Sequence, residues 1–332
     1  MGGSLSETES RAAFAAVMQG EATPAQIAAL LVALRVKGET PDEVAGAAEA
    51  LRGAMVRLPA ESASDLVDTC GTGGGAVGTF NISTAAALLA AGLHVRIAKH
   101  GNRSFTSQCG SADVLEALGV PVEVSVQVME HALRSAGIVF MFAPLMHPAM
   151  RHVGPVRREL GIPTVMNIVG PLANPASAGR QIVGVADANR VPLIAGALRT
   201  LGTVHALVVH GEPGMDEISP LGTTHVVEIR DGVIREWTID PSSFGFAAGS
   251  AEELAGGPPA QNAAAVFAVL DGSAPATAMA AVILNAAAAL YISPGGPTDY
   301  GDAINAARAG LRDGAGLRAL ALLRQAHSST AQ

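Results

Sequence analysis

From about residue 65 onward, strand-like and helix-like segments alternate along the chain. Leu66-Val67 and residues 95–98, 138–142, 182–185 and 206–209 are short, apolar and rich in β-branched residues. Residues 83–91, 111–118 and 193–201 lie between them with helical character, and another helix is expected through residues 157–160. Strands separated by helical crossovers pair in parallel and need helices to cover them. The expected fold class is therefore α/β, with a mostly parallel central sheet flanked by helices. One exception is expected between Val226 and Ile239, where Asp231-Gly232 between apolar pairs signals a hairpin. The last third, from Pro258 on, reads as helical.

The first sixty residues follow a different rule. Thr23-Pro24-Ala25-Gln26 is a helix start, with Thr as N-cap, Pro at the first helical position and Gln three after the cap. Ile27, Leu30, Leu31 and Leu34 follow at helical spacing. Thr40-Pro41-Asp42-Glu43 repeats the signal, with Val44, Ala47, Ala48 and Leu51 behind it. A helical hairpin cannot bury both faces alone, so it must pack on the rest of the chain or on a second copy. The expected division is a small all-α domain over residues 1–64, completed by helices from about 150–170, and an α/β domain over 65–330. A chain of 332 residues with 49 % apolar content has material for both cores.

Composition also excludes partners. The net charge is −8 and no basic stripe appears, so the footprint of a nucleic-acid binder is missing. Two cysteines, Cys70 and Cys109, are too few for a disulfide framework. The opening MGGSLSETES has neither a basic nor an apolar signal region. The longest uncharged run, residues 276–292, is mostly alanine and is broken by Asn285, which favours a buried helix over a membrane span. These features place the chain in the cytoplasm, with no membrane and no nucleic acid among its partners.

The chemistry concentrates in loops expected at the carboxyl ends of the strands, where such sheets bind ligands. The stretch DTCGTGGGAVGTFNIST (68–84) puts a glycine run between a strand and a helix. Such a run lets backbone N–H groups approach an anion closely. Ser83 and Thr84 then offer hydroxyls at the helix start. No Gly-Lys-Ser/Thr follows, so this is not the Walker pattern. The acidic residue of a dinucleotide site is also absent, since Lys99-His100 stands near its place. Lys99, Asn102, Arg103 and Ser107 in the next loop point to a polyanion. Asp216-Glu217, in the glycine-rich loop 211–219, suits a hydrated Mg²⁺ shared with phosphates. His147 and His152 are five residues apart, which does not favour a zinc site.

Together these residues resemble the anthranilate phosphoribosyltransferase family over residues 10–325. The motifs are GTGG…TFNIST, KHGNRS, GSADVLEALG, HPAMRHVGPVRRELGIPT, NIVGPLANP and GEPGMDEIS. The resemblance implies the nucleoside-phosphorylase type of phosphoribosyltransferase fold and a homodimer through the small helical domain. It implies transfer of the phosphoribosyl group of 5-phosphoribosyl-1-pyrophosphate (PRPP) to the amine of anthranilate, with Mg²⁺. It assigns Gly71, Gly74, Gly75, Thr79, Asn81, Ile82, Ser83, Thr84, Lys99, His100, Gly101, Asn102, Arg103, Ser107 and Ser111 to the PRPP site. Ser83, Asp216 and Glu217 fall at the metal positions. Gly71, Asn102, His147, Arg157 and Pro171 fall along the anthranilate site. No protein nucleophile is implied. His100, solvent and the substrate's own carboxylate are the candidate acceptors of the amine proton.

Two positions depart from the family pattern. Gly75 stands where an Asp is usual, and Met146 where a histidine or an aromatic residue is common before His147. With the other matched positions intact, the expectation is a working enzyme with a looser glycine loop. The rival readings are a pyrimidine nucleoside phosphorylase and a non-catalytic, nucleic-acid-binding relative. The first would run its glycine loop into Lys-Thr-Ser rather than Phe80-Asn81-Ile82-Ser83-Thr84. The second would want a basic surface.

Overall fold

A computed structural model of the protein describes residues 2–104 and 108–328. The chain opens with three helices, α1 (Glu7–Gln19), α2 (Pro24–Lys37) and α3 (Pro41–Gly53). The Thr23 and Thr40 starts are both complete capping boxes, with Gln26 and Glu43 closing back on the cap backbone. A third box, Ser6 with Glu9, starts α1.

Seven strands follow: β1 (Val67–Gly71), β2 (Ile97–Gly101), β3 (Ile138–Phe142), β4 (Arg180–Gly184), β5 (His205–Gly211), β6 (Thr224–Arg230) and β7 (Val233–Ile239). Between β1 and β2 lies α4 (Ile82–Gly92), and between β2 and β3 lie α5 (Ser111–Ala117) and α6 (Val126–Ser135). The short helices α7 (Ala143–Met146), α8 (Gly154–Leu160) and α9 (Met166–Val169) lead to β4, and α10 (Val191–Thr200) connects it to β5. Four helices end the chain, α11 (Pro259–Leu270), α12 (Ala276–Ile292), α13 (Tyr300–Arg312) and α14 (Ala315–Ser328).

The strand order is β3-β2-β1-β4-β5-β6-β7. Pairing is parallel from β3 through β5 and antiparallel for β6 and β7. The β6–β7 turn has Asp231 at φ 50° and Gly232 at φ 79°, the left-handed pair that a tight hairpin demands. Side chains alternate across the sheet with period two. Ile182, Leu207 and Val209 enter a core with Leu88, Leu89 and Leu284. Val183, Ala206 and Val208 enter the opposite core, which also holds Phe14, Leu31, Leu51, Val156, Met166 and Ile194. That second core joins α1–α3 to α8, α9 and α10. Helix α12 is buried along most of its length, so the uncharged run is core. Among the described residues no helix is long and apolar enough to cross a membrane.

The sequence suggests β2 over residues 95–98, yet it runs from Ile97 to Gly101. The strand extends through Lys99 because that ammonium finds acceptors inside the molecule, described below. Strand order turns back between β1 and β4, and their carboxyl ends, Gly71 and Gly184, lie side by side. A crevice at such a switch point is where ligands of open α/β sheets bind.

Candidate active site

The glycine loop leaves β1 at this crevice. Gly73 and Gly74 hold φ of +71° and +79°, a conformation that side chains disfavour. The loop is tied to its neighbours at three points. Thr72 N–H donates to the Gly184 carbonyl at 2.9 Å, and Ala76 N–H to the Gly214 carbonyl at 2.8 Å. Gly73 N–H donates to Asp216 Oδ2 at 2.8 Å. The N–H groups of Gly74 and Gly75 donate to nothing in the described chain, which leaves them for an anion.

The two loops expected to meet do meet. Ser83 N–H, at the start of α4, donates to Glu217 Oε1 at 3.2 Å. Asp216 and Glu217 are half-buried, and Thr69, Cys70, Ser83 and Asn285 line the same small pocket. Burial, and then the charge of Asp216, push the Glu217 carboxyl up to about 8. Burial also raises Asp216. Two crowded carboxylates with raised pKa values are short of positive charge. The donors here are carboxylate and hydroxyl oxygens, and among the described residues no cluster of three His, Cys, Asp or Glu gathers around a metal position. That set suits Mg²⁺, which keeps waters and shares phosphate oxygens.

Lys99 is only 3 % exposed and does not reach into the loop. Its ammonium donates to the Thr69 carbonyl, to the Thr69 hydroxyl at 3.2 Å and to Ser83 Oγ at 3.3 Å. It therefore reaches the start of α4 through Ser83. Burial lowers its pKa, while Asp68 holds it up. Asp68 is fully buried. It accepts from Asn174 Nδ2 at 2.7 Å and from His100 N–H at 3.2 Å. Burial pushes its carboxyl up to about 6.

Arg103 is held by carboxylates and an aromatic ring. Its guanidinium pairs with Glu116 at 2.8 Å and Glu123 at 2.9 Å, and lies over the Phe142 ring. Glu116 on α5 and Glu123 beyond the end of that helix hold it there. Ser107 lies outside the described residues. Asn102 accepts at its main-chain carbonyl from Ser111 Oγ at 3.3 Å. Asn81 precedes α4 and is held by Asn262 Nδ2 at 2.8 Å, while donating to the Cys109 carbonyl. Thr79 bridges to Ala255. Ile82 and Thr84 are buried under the loop, and the Thr84 hydroxyl has no partner among the described residues. Gly101 ends β2 at the rim.

The rings of His100 and His147 meet at a tilt of 60°, with centroids 4.9 Å apart. Burial lowers His100 to about 3 and His147 to about 4. The Ala173 carbonyl draws His147 slightly upward but lies outside hydrogen-bonding geometry. His147 is 4 % exposed and stays neutral in the folded protein. The unfolded chain takes up its proton near pH 6.5, so stability is lost as pH falls from 6.5 towards 4. At pH 5 the loss through this residue is about 2 kcal/mol. Denaturant unfolding at pH 7 and pH 5 should therefore show a smaller difference for His147→Gln than for the natural chain. An equal difference would remove His147 as the cause.

Arg157, on α8, is half-buried, and its guanidinium has no ion-pair partner among the described residues. Burial without a carboxylate disfavours its charge. Arg158 beside it is exposed. Pro171 presents its carbonyl to Gln181 and Cys70, next to the end of β1.

Known families share this arrangement of domains. The profile described as glycosyl transferase family, a/b domain, matches residues 63–317, and that described as glycosyl transferase family, helical bundle domain, matches residues 1–55. The anthranilate phosphoribosyltransferase of Herpetosiphon aurantiacus is 51 % identical over 287 residues, 86 % of this chain and 84 % of its own. The chain belongs to the anthranilate phosphoribosyltransferase family. The crystal structure of the Thermus thermophilus member superposes with a TM-score of 0.93 at 41 % identity, covering 98 % of this chain and 97 % of that one. The Saccharomyces cerevisiae member, solved in complex with PRPP and Mg, gives 0.88 at 29 % identity, covering 98 % and 94 %.

Four residues of this family member escaped the sequence reading: Asp68, Asn174, Asn262 and Asn285. Each is a polar side chain at 4 % exposure or less. Asn285 alone gave a signal, as the polar break in an alanine run.

Proposed function

We propose that the chain transfers the 5-phosphoribosyl group from PRPP to the amine of anthranilate, giving N-(5-phosphoribosyl)anthranilate and pyrophosphate, in tryptophan biosynthesis. The observation that carries this reading is the double tie of Asp216 to Gly73 N–H and Glu217 to Ser83 N–H. It sets an acidic pair at the mouth of an anion-binding glycine loop. Asp216, Glu217 and Ser83 would hold Mg²⁺, which neutralises charge on the departing pyrophosphate. The free N–H groups of Gly74 and Gly75 and the dipole of α4 bind phosphate oxygens. Lys99 orients the Ser83 hydroxyl from beneath. The Arg157 guanidinium pairs with the carboxylate of anthranilate and aims its amine at the ribosyl carbon.

His100 is neutral at pH 7, so its ring can accept a hydrogen bond. With a pKa near 3 it is too weak a base to keep the amine proton. The substrate's own carboxylate, a stronger base, is the better acceptor. A cytoplasmic homodimer through the helical domain belongs to the same proposal, and Val36 on α2, 81 % exposed, supports it.

The test follows loss of anthranilate fluorescence with PRPP across a magnesium titration. Consumption that needs both substrates and metal is expected; none at any magnesium level in folded protein would sink the reading. Gly75→Asp belongs in the same experiment. A Cβ there would stand 3.0 Å from Asp216 Oδ1, so the new carboxylate joins the acidic pair. The magnesium midpoint should shift, and superimposable titrations would exclude a metal role at position 75.

A further inference from the structure

Helix α12 is apolar apart from three groups, Thr277 near its start, Asn285 at its middle and the Tyr291 hydroxyl near its end, and Asn285 alone of these is an amide, 4 % exposed. A buried amide is costly unless its hydrogen bonds are made. Here they are made to one segment in particular. Asn285 Oδ1 accepts from Ile218 N–H at 3.0 Å, and Asn285 Nδ2 donates to the Ile218 carbonyl at 2.9 Å. The same nitrogen also donates to the Ala281 carbonyl at 2.9 Å, within its own helix. The side chain thus pairs with Ile218 in both directions, as a neighbouring strand would, and Ile218 directly follows Asp216-Glu217. On the other side the Asp216 carbonyl presses on Gly184, and both carboxylates are tied to the glycine loop and α4.

We propose that Asn285 is a positioning residue for the Asp216-Glu217 pair. It fixes the backbone from which the two carboxylates project, and so sets the affinity for magnesium-bound PRPP without touching the substrate. A Leu at this position would fill the space yet leave the Ile218 N–H and carbonyl unpaired. The loop would then drift, because buried backbone groups seek other partners. The inference rests on the reading of Asp216 and Glu217 as the metal-holding residues.

The test is calorimetric titration of the full-length protein with PRPP in the presence of Mg²⁺, alongside the magnesium midpoint and the anthranilate KM. Asn285→Leu is compared with Leu290→Ala, which lies on the same helix outside the pocket lining and removes packing instead. The expected result for Asn285→Leu is a dissociation constant raised by about tenfold or more, the loss typical when a group supporting a metal ligand is removed. The anthranilate KM should stay within about twofold, and Leu290→Ala should lower the melting temperature while binding PRPP normally. Folded Asn285→Leu with natural affinity overturns the inference, as does an equal loss in Leu290→Ala. Should Asn285→Leu fail to fold, the smaller Asn285→Ser is judged by the same two outcomes. If the natural protein itself binds no PRPP with Mg²⁺, the reading of the carboxylate pair fails first, and the inference with it.

Discussion

Arg157→Ala should raise the KM for anthranilate by about 30- to 150-fold and change PRPP binding by less than about threefold. A hydrogen bond to a charged partner contributes about 1.5–3 kcal/mol, and a half-buried guanidinium with a carboxylate has two to offer. The upper part of that range corresponds to the fold-change given. The free protein holds Arg157 with no ion-pair partner among the described residues, so little is lost from the fold when it goes. Arg157→Lys keeps the charge but not the planar fork, and should recover only part of the loss. Arg158→Ala, one residue away and exposed, is the control and should change little. If the two alanine variants behave alike, Arg157 does not bind the carboxylate. A fall in kcat with an unchanged KM would argue instead for a role confined to the transition state.

The same comparison of neighbours explains what could be read before the structure. Helix starts were legible because a capping box is local: Thr23 and Gln26 are three residues apart, and the chemistry that joins them lies in those residues. The Asp231-Gly232 turn was legible for the same reason. The converging loops were legible because parallel strands put their carboxyl ends on one rim. What supports those loops was hidden. Asn174 meets Asp68 across 106 positions, and Asn285 meets Ile218 across 67. Nothing nearby in sequence marks either partner. Lys99 shows how an immediate partner stays hidden. A lysine beside a glycine loop suggests direct contact with a phosphate, while burial turns this one towards Thr69 and Ser83. The pairing of Arg103 was equally hidden, since Glu116 and Glu123, which hold its guanidinium, look like ordinary surface charges in sequence. Residue type and spacing thus brought the candidate loops to one rim, and tertiary contacts decided how their polar groups are paired.

Gly184→Ala should damage both stability and turnover, because of all the glycines this one would bring a methyl closest to another atom. A Cβ built on Gly184 would stand 1.7 Å from the Asp216 carbonyl oxygen and 2.4 Å from its carbon, distances no real contact tolerates. Gly184 cannot retreat, because it is paired with Gly71 on one side and Val209 on the other in the middle of a parallel sheet. The Asp216-Glu217 backbone must therefore move by more than about 1 Å, the scale at which a misplaced reacting group costs about a hundredfold in rate. Forced repacking adds about 1–3 kcal/mol of destabilisation. The expected outcome is a lower melting temperature together with loss of magnesium-dependent turnover of about a hundredfold or more. Gly75→Ala is the informative partner. Its Cβ would meet Asp216 Oδ1 at 3.0 Å, the tip of a side chain that can swing aside, so turnover should fall far less. Equal losses in the two variants would mean that crowding of the acidic pair in general, rather than displacement of its backbone, controls the site. A Gly184→Ala protein with natural melting temperature and turnover would mean that the close approach of Asp216 to β4 has no part in holding the carboxylates.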